Sequence, residues 1–312
     1  MTDANWWERL QDPLPGRVPK PRISGLTMVI DTGLPLSVVR DLLQMAAAHV
    51  DFWKFGFGSA GVCTPEVVWS KVSLCQEYGV LPYPGGTSME IAIQQGVWQD
   101  YLESMRAAGL RVVEVSDGTI TLQRSLRQQV ISAARKMGFT VLTEVGKKRA
   151  GTLLPIAEQA ELIRADLDAG AAYVLIEGRE NGLDVGFFEA DGRVRMSEVD
   201  ALTRQLGPSA TRVIWEAPRR AQQILYIERF GNRVNLGNVQ PFDIVPLESL
   251  RRGLRSDTFA LGLPPERDVG ASAAKPLGKL DEPAQKPASA GGPTVWKRDE
   301  HGPSQGKPFK ST

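Results

Sequence analysis

The 312-residue sequence predicts an α/β fold: a (β/α)8 TIM barrel with a short N-terminal extension and a disordered C-terminal tail. Three observations carry this prediction. Eight short β-rich runs recur between residues 26 and 239, amphipathic helical segments separate them, and polar residues collect where the runs end. Strands separated by helices make parallel βαβ units, and eight units over about 240 residues match a closed barrel. A doubly wound open sheet is the alternative. No G-x-G-x-x-G follows the first run, however, so a dinucleotide fold lacks its phosphate fingerprint.

In chain order the runs are "LTMVID" (26–31), "DFWKFG" (51–56), "VLPYPG" (80–85) and "VVEVSDG" (112–118), then "TVLTEVG" (140–146), "YVLIEGR" (173–179), "RVIWEAP" (212–218) and "RVNLGNV" (233–239). Between them, "PLSVVRDLLQMAAAHV", "PEVVWSKVSLCQEYG", "SMEIAIQQGVWQDYLESMRAAG", "LQRSLRQQVISAARKMG" and "IAEQAELIRADLDAG" are apolar at helical spacing and often close on Gly. These boundaries give an N-terminal extension (1–22), a barrel (23–262) and a tail (263–312). Pro, Gly, Ala, Ser and Lys dominate the tail, with little apolar side chain to offset the entropy of ordering.

Composition narrows the partners. Thirty-seven Lys and Arg against 36 Asp and Glu leave a net charge of +1, which removes the main electrostatic reason to expect nucleic acid or an anionic membrane. No run approaches the ~20 apolar residues of a membrane span, and the start lacks a basic, apolar secretory leader. Two cysteines, Cys63 and Cys75, are too few for a disulfide framework or a zinc cluster and read as reduced thiols of a cytoplasmic protein.

In such a barrel the C-terminal strand ends meet at one mouth, where chemistry occurs. Those ends supply Asp31, Lys54, Tyr83 with Gly85 and Gly86, and Glu114 with Ser116 and Asp117. The second half adds Glu144 with Lys147, Glu177 with Arg179, Glu216, and Asn235 with Asn238. Strand alternation puts Lys54 in one row with Phe52 and Gly56, Glu114 with Val112 and Ser116, and Glu144 with Leu142 and Gly146. Val113, Val115, Val141 and Val145 then face the helices. Ion pairs rimming the barrel are the bland explanation for any single acid. Repetition at every strand end but the third weakens it for the set. Neither His49 nor His301 joins the group, and oxygen ligands without imidazole suit Mg²⁺. In "YPGGTSME", Gly85 and Gly86 let backbone N–H groups approach an anion, and Thr87 or Ser88 can cap the next helix. Arg251, Arg252 and Arg255 follow the last strand, where such barrels often bind phosphate.

The stretches "GLTMVIDTGLP", "VDFWKFGFGSA", "YPGGT", "VEVSDG", "LTEVGKK", "DLDAGAAYVLIEGRENG", "EAP", "VNLGNV" and "LRRGLRSDTF" run in order over residues 25–260. Together they resemble the phosphosulfolactate synthase family, to which a plant heat-stress-associated protein is related. The resemblance implies a Mg²⁺-dependent barrel enzyme that adds sulfite, or a related nucleophile, to C3 of phosphoenolpyruvate. It implies Lys147 as proton donor, with Glu144 and Lys54 as the other catalytic groups. Metal ligands would come from Asp31, Asp117, Glu144, Glu177 and Glu216. The anions would be held by Gly86, Thr87, Ser116, Lys148, Arg179, Asn235, Arg252 and Arg255, with Lys148 at the rim. A homo-oligomer is also implied. Thr32 stands where archaeal members carry lysine, which bears on the choice of nucleophile. Two other readings are a non-catalytic, stress-associated or scaffolding barrel, and a lyase or aldolase using Lys147 as a Schiff base.

Overall fold

The computed structural model describes Trp7 and residues Leu10–Leu263. Eight strands form one parallel sheet in the order β3-β2-β1-β8-β7-β6-β5-β4. Along the chain the elements are β1 (Thr27–Asp31), α1 (Leu36–Ala46), β2 (Phe52–Phe55), α2 (Ser59–Val62), α3 (Pro65–Glu77), β3 (Leu81–Pro84), α4 (Thr87–Gln94), α5 (Trp98–Ala107), β4 (Val112–Val115) and α6 (Arg124–Lys136). The second half runs β5 (Thr140–Val145), α7 (Ile156–Ala169), β6 (Tyr173–Ile176), α8 (Met196–Leu206), β7 (Val213–Glu216), α9 (Arg220–Phe230), β8 (Asn235–Val239), α10 (Ile244–Arg251) and α11 (Ser256–Phe259). All eight expected strands are present. The single helix expected over 88–109 is two, α4 and α5, because Gly96 takes φ +73° between them, a value that ends α-helices.

Alternation along the strands sorts the core. Leu26, Met28, Phe52, Tyr83, Val112, Leu142, Leu175 and Ile214 fill the barrel interior. Their neighbours in sequence, among them Val29, Trp53, Val113, Val141, Val174, Val213 and Trp215, pack outward among the helices. The inward and outward rows of β2, β4 and β5 are those expected. β3 and β4 lie at the two ends of the strand order. Glu114 links them, accepting from Tyr83 Oη (3.0 Å) and from the Gly86 backbone N–H (2.7 Å).

The N-terminal extension closes the bottom of the barrel. Arg252 donates to Asp12 (2.7 Å), Arg17 to Glu248 (3.0 Å) and Arg22 to Asp51 (2.8 Å), and Lys20 Nζ donates to the Val50 carbonyl (2.7 Å). The chain divides at Glu266/Arg267 and the barrel belongs to the first part. The expected disordered tail lies outside the described residues. No helix among the described residues is long and apolar enough to cross a membrane.

Candidate active site

At the C-terminal mouth, inward positions next to the apolar core carry charge. β2 presents Lys54, β4 Glu114, β5 Glu144, the residue after β6 is Glu177 and the last of β7 is Glu216, all buried. The Lys54 ammonium lies 3.1 Å from Glu114, 3.3 Å from Glu144 and 3.2 Å from Glu216. Lys148, just beyond β5, reaches back to Glu144 at 3.1 Å and lies 4.0 Å from Glu177. Its amine also donates to Thr87 Oγ1 (3.3 Å), tying β5 to the Gly-Gly loop. A cavity of about 260 Å³ opens over this cluster, lined by Lys54, Gly86, Thr87, Ser88, Glu144, Lys148, Glu177, Arg179, Glu216 and Asn238 among others.

The charges are mutually adjusted. Burial alone would lower the Lys54 ammonium, but Glu114, Glu216 and Glu144 outweigh it and hold it well above the usual lysine value. Burial also opposes the charge on Lys148, and Glu144 and Glu177 again prevail, so that ammonium is held protonated. Burial would raise Glu144, yet Lys148, Lys54 and a hydrogen bond with Glu177 bring it below the ordinary carboxylate range. Burial raises Glu177 well above that range, reinforced by Glu144 and Glu216, and pushes Glu216 up to about 7 against the pull of Lys54. Four carboxylates therefore share two lysines, with one acid ionised at the centre and its neighbours drawn toward the protonated form.

The structure brings together Lys54, Glu144, Glu177, Glu216, Lys148, Gly86, Thr87 and Arg179 as the sequence suggested. Other candidates lie elsewhere. Even-numbered residues of β1 face inward, so Asp31 faces the helices, where Lys71 Nζ (2.7 Å), Trp53 Nε1 and two backbone N–H groups bind it. Lys147 points away from its neighbour Lys148 and donates to Asp117 Oδ2 (2.7 Å) and to the Ile120 carbonyl (3.2 Å). Asp117 is held there by Lys147 and Arg127 and does not line the cavity. Ser116 is buried beneath Gly86 with its hydroxyl on Glu90.

Asn235 opens β8 and so sits at the bottom, bonded to the Leu26 N–H and to the Thr211 and Val213 carbonyls. The arginines after β8 are at the bottom too, because α10 runs antiparallel to its strand and returns the chain there. Arg251 donates to the Asn232, Val234 and Leu26 carbonyls, Arg252 pairs with Asp12, and Arg255 pairs with Asp257. Sequence reasoning passed over Glu180, named Ser88 only as a candidate helix cap, and named Asn238 at the mouth beside Asn235 without a role. All three line the cavity.

Eight parallel strands and helices, with lysines and carboxylates converging at the C-terminal mouth, define a (β/α)8-barrel enzyme. Residues 15–257 match the sequence model of the (2R)-phospho-3-sulfolactate synthase (ComA) family, and the chain belongs to that family. It is 42% identical over 237 residues to the phosphosulfolactate synthase of Methanocaldococcus jannaschii, covering 75% of this chain and 94% of that one. It is 41% identical over 247 residues to the phosphosulfolactate synthase of Methanothermobacter thermautotrophicus (78% and 95% covered). A Bacillus subtilis phosphosulfolactate synthase is 35% identical over 250 residues (80% and 97% covered).

Proposed function

We propose that this chain adds sulfite to C3 of phosphoenolpyruvate, yielding phosphosulfolactate. One observation carries the reading beyond family membership. The mouth sets a protonated lysine, Lys148, against carboxylates in a cavity large enough for a small phosphorylated acid. In the reaction the sulfur lone pair forms the C–S bond at C3, and the C2–C3 π pair moves onto C2 and the adjoining carboxylate. Protonation at C2 completes the addition and leaves the phosphoester intact. Lys148 is the proton donor we favour over Lys147, because Lys148 is among the residues lining the cavity whereas Lys147 is turned to Asp117 outside it. Lys148 and Arg179 offset the repulsion between two anionic substrates, and the site orients them for attack. Lys54 keeps the carboxylates together from below.

Magnesium fits the donor set. One carboxylate oxygen from each of Glu144, Glu177 and Glu216 lies within 4.8 Å of the others. Glu144 Oε1 and Glu177 Oε2 are buried and face the Lys148 ammonium at 3.1 and 4.0 Å without a well-formed hydrogen bond from it. An all-oxygen set without imidazole is what this hard cation selects. These three glutamates would hold it, and when bound it supplies positive charge to an enolate-like transition state.

The test compares Lys148→Ala with Lys147→Ala in consumption of phosphoenolpyruvate with sulfite and Mg²⁺. The proposal expects at least a hundredfold loss of kcat for Lys148→Ala, as for loss of a general acid, and a smaller loss for Lys147→Ala. Lys148→Ala turning over like the unsubstituted protein would remove Lys148 as proton donor.

A further inference from the structure

Three residues that line the cavity hold left-handed backbone without being glycine: Phe57 at φ 55°, Arg179 at φ 54° and Asn238 at φ 50°. Such conformations persist only where surroundings enforce them, and they cluster at ligand sites. Arg179 and Asn238 are bonded to each other. Asn238 Nδ2 donates to the Arg179 carbonyl (3.0 Å), while the Arg179 N–H donates to Glu177 Oε1 (2.7 Å). Further along the same two segments, Gln240 Nε2 donates to the Glu180 carbonyl (3.2 Å). The backbone of Arg179 and Glu180 is thus gripped from the end of β8 by two amide side chains and from the end of β6 by Glu177.

The grip determines where a cation stands. The Arg179 side chain lines the cavity and is 38% exposed, 3.7 Å from Glu180, unlike the buried Lys54 already engaged by three carboxylates. The buried Asn238 Oδ1 accepts no hydrogen bond among the described residues. The side chain is therefore bonded through Nδ2 alone, while the backbone N–H donates to Met28 Sδ (3.4 Å). Asparagine suits the place, because its short side chain tolerates left-handed backbone and still reaches a neighbouring carbonyl.

We infer that Asn238 is a positioning residue: through the Arg179 carbonyl it fixes the strained 179–180 peptide so that the Arg179 guanidinium serves as an anion clamp over the mouth. Gln240 is the second staple of the same segment. The identity of the clamped anion as phosphoenolpyruvate rests on the proposed function. The clamp itself requires only a small phosphorylated or inorganic oxyanion.

The experiment is a double-mutant cycle on the full chain, reading the Kd of phosphoenolpyruvate by calorimetry for Asn238→Gly, Arg179→Met and the double variant. Glycine accepts φ 50° without strain, so Asn238→Gly removes the staple to the Arg179 carbonyl alone. Asn238→Ala serves as a second variant should the glycine chain fold poorly. The expected result is about tenfold weaker binding for Asn238→Gly, the size of one net hydrogen bond. The double variant should bind no more weakly than Arg179→Met, because Asn238 acts through that arginine. Wild-type affinity in the Asn238 variants, or losses that multiply in the double, would overturn the clamp. Were the unsubstituted chain not to bind phosphoenolpyruvate, the proposed function would fail, and the same cycle would be read with inorganic phosphate. Absence of phosphate binding would then overturn the clamp as well.

Discussion

Replacing Lys54 by Met removes the one cation that three buried carboxylates share while nearly conserving side-chain volume. Its ammonium stands 3.1, 3.2 and 3.3 Å from Glu114, Glu216 and Glu144. At an effective dielectric of about 20, each contact near 3.2 Å attracts by about 5 kcal/mol. Desolvation of the lysine and repulsion among the acids offset much of that gross attraction. Measured losses when one partner of a buried pair is deleted are about 3–5 kcal/mol. For a domain of this size that corresponds to a fall in Tm of about 6–20 °C. The assay is urea and thermal unfolding in chelator-containing buffer at pH 7 and pH 5.

The pH dependence has a definite sign. Burial raises Glu177 and Glu216 above their unfolded values, so they favour the fold below the ordinary carboxylate pKa and lose that contribution as pH rises toward about 7. Removing Lys54 raises them further. The deficit of Lys54→Met should therefore be largest at pH 7 and smaller at pH 5. A variant within 1 kcal/mol of wild type at pH 7, or a deficit that grows at pH 5, would refute the reasoning.

Three further outcomes follow from the same geometry. Gly146→Ala puts a Cβ 2.5 Å from Glu177 Cβ on a backbone at φ +133°, so we expect about 1–3 kcal/mol of lost stability together with displacement of Glu177 and loss of turnover, read by calorimetry and kinetics. Cys75 is buried and its thiol is pushed up to about 12 by burial, with Asp31 adding to the effect. A thiol reagent at pH 8 should modify Cys63 in the native chain and Cys75 only after unfolding, as peptide mass mapping would report. Arg127 is buried between Asp166 (2.7 Å) and Asp117 (3.2 Å) and also holds the Glu144 carbonyl. Arg127→Met should cost about 3–5 kcal/mol, and a smaller change in the unfolding midpoint would argue that this pair is dispensable.

Much of this site was legible because a strand alternates strictly. Phe52 and Lys54, Val112 and Glu114, Leu142 and Glu144 fall on one face by parity, and each pair is apolar below and charged above in the barrel. The errors have equally physical sources. "RVNLGNV" was legible as a strand, but the strand begins at Asn235, so an amide assigned to the mouth belongs to the opposite end. A helix after the last strand travels back down the barrel, which carried Arg251 and Arg252 to the bottom. Lys147 and Lys148 are adjacent, and sequence gives no means of deciding which turns inward. That was set by Asp117, which engages Lys147, and by Glu144, which engages Lys148. The left-handed backbone at Arg179 and Asn238 carries no sequence signal beyond the tolerance of asparagine for it.

The most direct test of the account is phosphorus NMR of the purified chain with phosphoenolpyruvate, sulfite and Mg²⁺. The account predicts conversion of the enol phosphoester resonance to that of a new, saturated phosphoester, dependent on sulfite and lost in Lys148→Ala. An unchanged phosphoenolpyruvate resonance, or release of inorganic phosphate in its place, would contradict it.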